Sequence, residues 1–81
     1  MRIRVNFFAL LREEIGRDEV ALDVSEGSSC GEVVSYLQKE FPNLLSIFQS
    51  SLVAVNGDYA TGETPLSIDD ELAILPPVSG G

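Results

Sequence analysis

The sequence predicts an α+β domain in which one long helix lies across one face of a single sheet, and three observations carry that reading. Apolar residues alternate with polar ones at Ile3, Val5 and Phe7, and again at Val20, Leu22 and Val24, which is the period-two pattern of half-buried strands. Ser29 and Glu32 have capping-box spacing and precede Val33, Val34, Leu37 and Phe41, which fall on one helical face. Asn56-Gly57 directly follows Leu52-Val53-Ala54-Val55, and both residues tolerate the positive φ of a tight hairpin.

Between these landmarks the remaining elements follow in order. Ala9 to Ile15 reads as a short helix, with Leu11 and Ile15 one turn apart and Gly16 placed to stop it. It occupies the link between the first two strands. Ser25 to Ser28 is a turn, and Pro42 marks the end of the long helix. Asn43 to Ser51 is ambiguous; Leu44 and Phe48 could share the face of a short helical turn. Asp58 to Ala60 is the returning hairpin strand, Thr61 to Pro65 is loop, and Leu66 is placed to plug the core. Asp69-Asp70 turn the chain into a last strand, Leu72 to Leu75.

Eighty-one residues, 44% hydrophobic and 22% charged, allow one domain with one modest core. No apolar run approaches a membrane span, and Met1 to Arg4 does not open a signal peptide, so the expected compartment is the cytoplasm and no membrane partner is expected. A single cysteine, Cys30, excludes an internal disulfide framework. The net charge of −8 disfavours nucleic acid and would attract a basic partner, although charge by itself reads as a matter of solubility. Histidine is absent, which removes histidine acid–base chemistry and histidine metal sites. Asp69, Asp70 and Glu71 lack a coordinating loop and read as a solvated turn rather than a cation site. No motif supplies a self-contained active site, and no cofactor is expected on this chain.

The ending Pro76-Pro77-Val78-Ser79-Gly80-Gly81 is the sharpest functional signal. Proline fixes φ and favours an extended path, while terminal glycines add no side-chain width. The segment reads as a delivery arm whose cargo site is the carboxylate of Gly81. A second signal is apolar side chains facing away from the helix. If Ile3, Val5 and Phe7 point to the core, Phe8 points the other way. If Leu72 and Ile74 share the core face, Leu75 does not; Tyr59 has no obvious place in so small a core either. Phe8, Tyr59 and Leu75 form a candidate docking patch beside the tail.

With those residues in view, the chain resembles the family of molybdopterin synthase small subunits, ubiquitin-like sulfur carriers. The likeness spans essentially the whole chain: Val5 to Glu13, Ala54-Val55-Asn56-Gly57, Pro65-Leu66, Asp69 to Leu72, and Leu75 to Gly81. The diglycine is common to all such carriers, whereas the Pro-Pro-Val-Ser approach is specific to this subfamily. The resemblance implies a β-grasp fold, a mixed sheet with one main helix packed across one face, with residues 1–75 as the domain and 76–81 as its tail. It implies that a separate activating enzyme uses ATP to adenylate Gly81, that a sulfur-donor system converts it to a thiocarboxylate, and that the synthase large subunit accepts the tail. There the sulfur passes to cyclic pyranopterin monophosphate, in an assembly of two small and two large subunits. By position, Gly81 would carry the sulfur, Pro77, Val78, Ser79 and Gly80 would bind the partner as the inserted tail, with Gly80 keeping it thin, and Phe8, Tyr59 and Leu75 would dock. At Tyr59 this chain departs from its relatives, which often carry an aliphatic residue there.

Three other readings share parts of this pattern. They are a sulfur carrier for thiamin thiazole synthesis, a modifier joined to lysines, and a binding module whose diglycine is incidental.

Overall fold

The computed structural model describes residues 1–77; the candidate residues Val78, Ser79, Gly80 and Gly81 lie outside them. The elements in chain order are β1 (Arg2–Phe7), α1 (Ala9–Ile15), β2 (Glu19–Asp23), α2 (Cys30–Glu40), α3 (Leu45–Ser50), β3 (Leu52–Val55), β4 (Asp58–Ala60) and β5 (Glu71–Leu75). They build one five-stranded sheet of order β2-β1-β5-β3-β4. β1 and β5 run parallel at its centre, and every other pairing is antiparallel. This is the mixed β-grasp sheet that the resemblance implied.

The core lies between the sheet and its helices. Ile3, Val5, Phe7, Leu72 and Ile74 from the two central strands meet Val33 and Leu37 of α2, Leu11 of α1, and Phe48 of α3. The parallel β1–β5 pair requires a long crossover, and α2 lies within it. Its N-terminus closes as the sequence predicts: the Glu32 amide donates to Ser29 Oγ at 3.2 Å, and the Ser29 amide donates to Glu32 Oε1 at 3.4 Å. After Phe41 a 3-10 turn over Pro42–Leu44 runs into α3. The ambiguous stretch is therefore helical, in two short pieces that bury Leu44 and Phe48.

The β3–β4 turn rests on left-handed backbone. Asn56 at φ 51° and Gly57 at φ 89° make the β3–β4 hairpin, and the Asn56 side chain ties it to β5. Its Nδ2 donates to Asp70 Oδ1 at 2.9 Å, while the Glu71 amide donates to Asn56 Oδ1 at 3.0 Å. Asp70 Oδ2 also accepts from the Ser67 amide at 2.7 Å. The Asp70 carboxylate is thus engaged in holding a turn.

The first turn of α2 is sealed by the loop that Leu66 closes. The Cys30 amide donates to Thr64 O at 2.9 Å, the Gly31 amide to Gly62 O at 2.8 Å, and the Leu66 amide to Ser28 O at 2.8 Å. The first two bonds occupy donors that a helix start leaves orphaned. They also bring the backbones so close that a Cβ on Gly31 would lie 2.9 Å from Gly62 O. Gly31→Ala is expected to push this loop off the helix and cost about 1–3 kcal/mol, read as a lower melting temperature with an unchanged far-ultraviolet spectrum.

Candidate functional site: the open sheet face and the root of the tail

The register assigns every strand residue to a face. Val53 and Val55 lie opposite Ile74 and Leu72 and so face the helices; Leu52 and Ala54 lie opposite Leu75 and Ala73 on the other side. Tyr59 pairs with Ala54 and joins that open face. In β1 the open-face residues are Arg2, Arg4 and Asn6. Phe8 keeps extended backbone at φ −123°, ψ 158°, so the alternation continues through it and places it beside Leu75, next after the Phe7–Ile74 pair. The chain then reverses through Ala9, which has φ 50°. That left-handed alanine costs roughly 1–2 kcal/mol and turns α1 away while Phe8 stays on the sheet.

The open face therefore divides along the strands. At one end Arg2 Nε pairs with Asp23 at 3.2 Å, and Arg4 reaches both Glu19 at 3.9 Å and Glu71 at 3.5 Å. Hydrogen bonds from Arg2, followed by its charge, hold the Asp23 carboxyl below the usual carboxylate range. At the other end the row is apolar: Phe8, Leu75 and Leu52 side by side across three strands. Tyr59 sits diagonally next to Leu52, within reach of a large side chain. Ala54 is buried yet does not belong to the core cluster, as expected of a small residue at the floor of this patch.

Of the predicted docking residues, Phe8 is 39% exposed, Tyr59 is 77% exposed, and Leu75 is half-buried in the central strand beside Leu52. The residue that sequence reasoning missed is Leu52, which is 61% exposed. It joins Tyr59 to the Phe8–Leu75 pair and makes one patch of what was three residues. Its signal was present: once Val53 and Val55 face the core, period two sends Leu52 outward.

The tail leaves at this apolar end. β5 stops at Leu75, whose partner is Leu52, and Pro76 and Pro77 then line an open groove together with Leu10 of α1 and Ser46, Ile47 and Ser50 of α3.

Elsewhere the described residues hold no cluster able to bind a metal ion, and none of their helices is long and apolar enough to cross a membrane. Cys30 is fully buried, and burial pushes its thiol pKa up. A pKa raised by folding means stability present at neutral pH and lost as pH climbs through the folded-state value. A thiol-reactive dye at pH 8 is expected to label the native chain at least about a hundredfold more slowly than the urea-unfolded chain.

Comparison with known proteins places this geometry. The molybdopterin synthase sulfur carrier subunit of Mycobacterium tuberculosis is 36% identical, with 100% of this chain and 99% of the relative aligned. The crystal structure of SAMP1 from Haloferax volcanii superposes with a TM-score of 0.86 at 30% identity, covering 100% of both chains. A chain in the complex of subunits 1 and 2 of molybdopterin-converting factor from Helicobacter pylori, 24% identical and fully covered on both sides, has the same fold with a TM-score of 0.71. The ThiS family model matches residues 5–81, from within β1 to the terminal diglycine, and the chain belongs to that family.

Proposed function

We propose that this chain is the sulfur-carrier subunit of a molybdopterin synthase, with residues 1–75 as the docking domain and 76–81 as the delivery tail. The observation that carries the reading is full-length agreement with a sulfur carrier subunit, in a family match that runs through Gly81 itself. The geometry supports it: the apolar row Phe8, Leu75, Leu52 lies at the end of the sheet from which the tail departs.

The chemistry divides between the chain and its partners. The Gly81 carboxylate is a poor electrophile, because its oxygen is a poor leaving group. Attack on the α-phosphorus of ATP, catalysed by an activating enzyme, forms an acyl adenylate and releases pyrophosphate. Sulfide-level sulfur (HS⁻) delivered by a donor system then attacks the acyl carbon; the C–O bond to AMP breaks, AMP leaves, and a thiocarboxylate remains. In the large subunit that sulfur attacks an electrophilic carbon of cyclic pyranopterin monophosphate, a C–O bond at that carbon breaks as the C–S bond forms, and water cleaves the resulting thioester, leaving the sulfur on the pterin and regenerating the Gly81 carboxylate. Two such rounds supply the two sulfurs of the dithiolene. The carrier has no histidine to serve as an acid or base. Its part is to place the reacting carbon, and proximity of this kind is worth several kcal/mol of the barrier. ATP belongs to the activating enzyme, and the carrier itself holds no cofactor in this scheme.

Coexpression with a synthase large subunit in a cell lacking its own carrier tests the assignment. The expected result is copurification of the pair and restored molybdoenzyme activity. Rescue of a thiamin auxotroph without molybdoenzyme rescue would assign the chain to thiazole synthesis instead. Similarity to SAMP1, a modifier by name, supports conjugation to proteins as a second reading. Its sign is substrate lysines joined to Gly81 through an isopeptide bond.

A further inference from the structure

We propose that the outer edge of β2 takes up an extended segment of a partner protein as an added strand, a segment in which basic residues alternate with aliphatic ones. This interaction goes beyond the sulfur-carrier reading and uses a different surface from the apolar row. The sheet has two edges, β2 and β4. β4 is three residues long and β2 is five. The pairing of β2 with β1 also carries on at both ends, where the Phe7 amide donates to Asp18 O and the Val24 amide to Met1 O, each at 2.8 Å. A very short edge gives a partner little to pair with, so β2 is the edge able to template a strand.

Those end bonds fix which backbone groups point outward. Antiparallel ladders alternate, so Asp18, Val20, Leu22 and Val24 direct their amides and carbonyls at β1. Glu19, Ala21 and Asp23 aim theirs away from it, where the described residues place no strand. Val20, Leu22 and Val24 pack against the core yet stay only half-buried. Beside them lies a groove of about 370 Å³ between β2 and α2. Val33, 2% exposed, and Tyr36, 49% exposed, line its α2 side. The Ser25–Ser28 turn contributes to its wall, held by Ser28 Oγ donating to Ser25 O at 2.7 Å.

The occupant follows from charge and from the strand already in place. From Arg17 to Glu26 the chain carries four carboxylates and one cation, and Glu32 stands on the α2 side of the groove. On its inner side β2 already holds a strand of the required kind. β1 sets Arg2 opposite Asp23 and Arg4 opposite Ala21, with Arg4 reaching Glu19 at 3.9 Å, while Ile3 and Val5 lie opposite Leu22 and Val20 on the core side. A segment added outside meets the same alternation, with basic side chains beside Glu19 and Asp23 and aliphatic ones turned into the groove. A second copy fits badly, because antiparallel pairing about Ala21 would set Glu19 of each copy against Asp23 of the other.

The test uses the full chain and a capped synthetic peptide in which arginine and valine alternate. Titration followed in amide NMR spectra is expected to show saturable binding that shifts Glu19, Ala21 and Asp23 most and slows hydrogen exchange at Ala21 about tenfold or more. A counterpart with glutamate for arginine is expected to bind at least about tenfold more weakly. Ala21→Pro removes an outward amide that the inner ladder does not use, a change an edge strand tolerates, and its affinity is expected to fall about tenfold or more. Tyr36→Ala, at an exposed site, is expected to weaken binding about five- to thirtyfold and reads the groove even if the proline variant does not fold. Absence of saturable binding overturns the proposal. Equal affinities for the two peptides, shifts centred on Phe8, Leu52 and Leu75 instead of β2, or a dimer of the chain paired through β2 in place of the complex overturn it as well.

Discussion

Replacing Leu75 by aspartate is expected to weaken binding to the partner that accepts the tail by roughly 30- to 1,000-fold, the 2–4 kcal/mol of a central hot spot. Leu75 stands in the middle of the apolar row, between Phe8 and Leu52, on the strand that launches the tail. A carboxylate there would be desolvated on docking with no cation from this chain beside it, since Arg4 lies at the far end of the face, engaged with Glu19 and Glu71. Leu52→Asp is expected to act in the same direction, and less strongly, because Leu52 is the more exposed of the two. Arg4→Ala is the control: exposed ion pairs contribute about 0–1 kcal/mol, so its affinity is expected to change by less than about fivefold. Titration calorimetry of the three variants against the large subunit orders them, and equal affinities for Leu75→Asp and wild type would remove the patch from the interface.

The adjacent phenylalanines should separate stability from docking. Phe7 is 1% exposed in the core cluster, and Phe7→Ala is expected to cost about 3–5 kcal/mol. In a domain of this size that lowers the melting temperature by roughly 15 °C or more. Phe8→Ala removes a side chain already 39% exposed on the open face, so melting is expected to shift by only a few degrees, about 1 kcal/mol or less. Its expected loss is in partner affinity. Thermal unfolding beside a binding titration reads both; a reversed order of stabilities would mean that Phe8, not Phe7, fills the core.

The fold was legible because local signals agreed with one another. The alternation of β1, the Ser29–Glu32 capping box and the Asn56-Gly57 turn each identify an element unaided, and helix α1 ends at Gly16 as its left-handed backbone requires. Asn43 to Ser51 resisted because its two helical pieces are held by Leu44 and Phe48 from the core side, a tertiary cause with little local trace. The Gly31–Gly62 approach could not be read at all, since nothing in sequence shows that two glycines so far apart in the chain meet backbone to backbone. The docking face was half legible. Phe8, Tyr59 and Leu75 followed from alternation, but joining them required strand order, because Leu52 matters only once β3 is known to lie between β4 and β5.

The central claim is that Gly81 carries sulfur, and intact mass measures it most directly. Wild type and a chain lacking Gly81 are incubated with the activating enzyme, ATP and a sulfur donor. The account predicts a gain in wild type equal to sulfur replacing one oxygen, reversed on transfer to the acceptor, and no gain in the shortened chain. No gain in wild type, with an enzyme shown to load another carrier, would contradict the account and leave a β-grasp binding module.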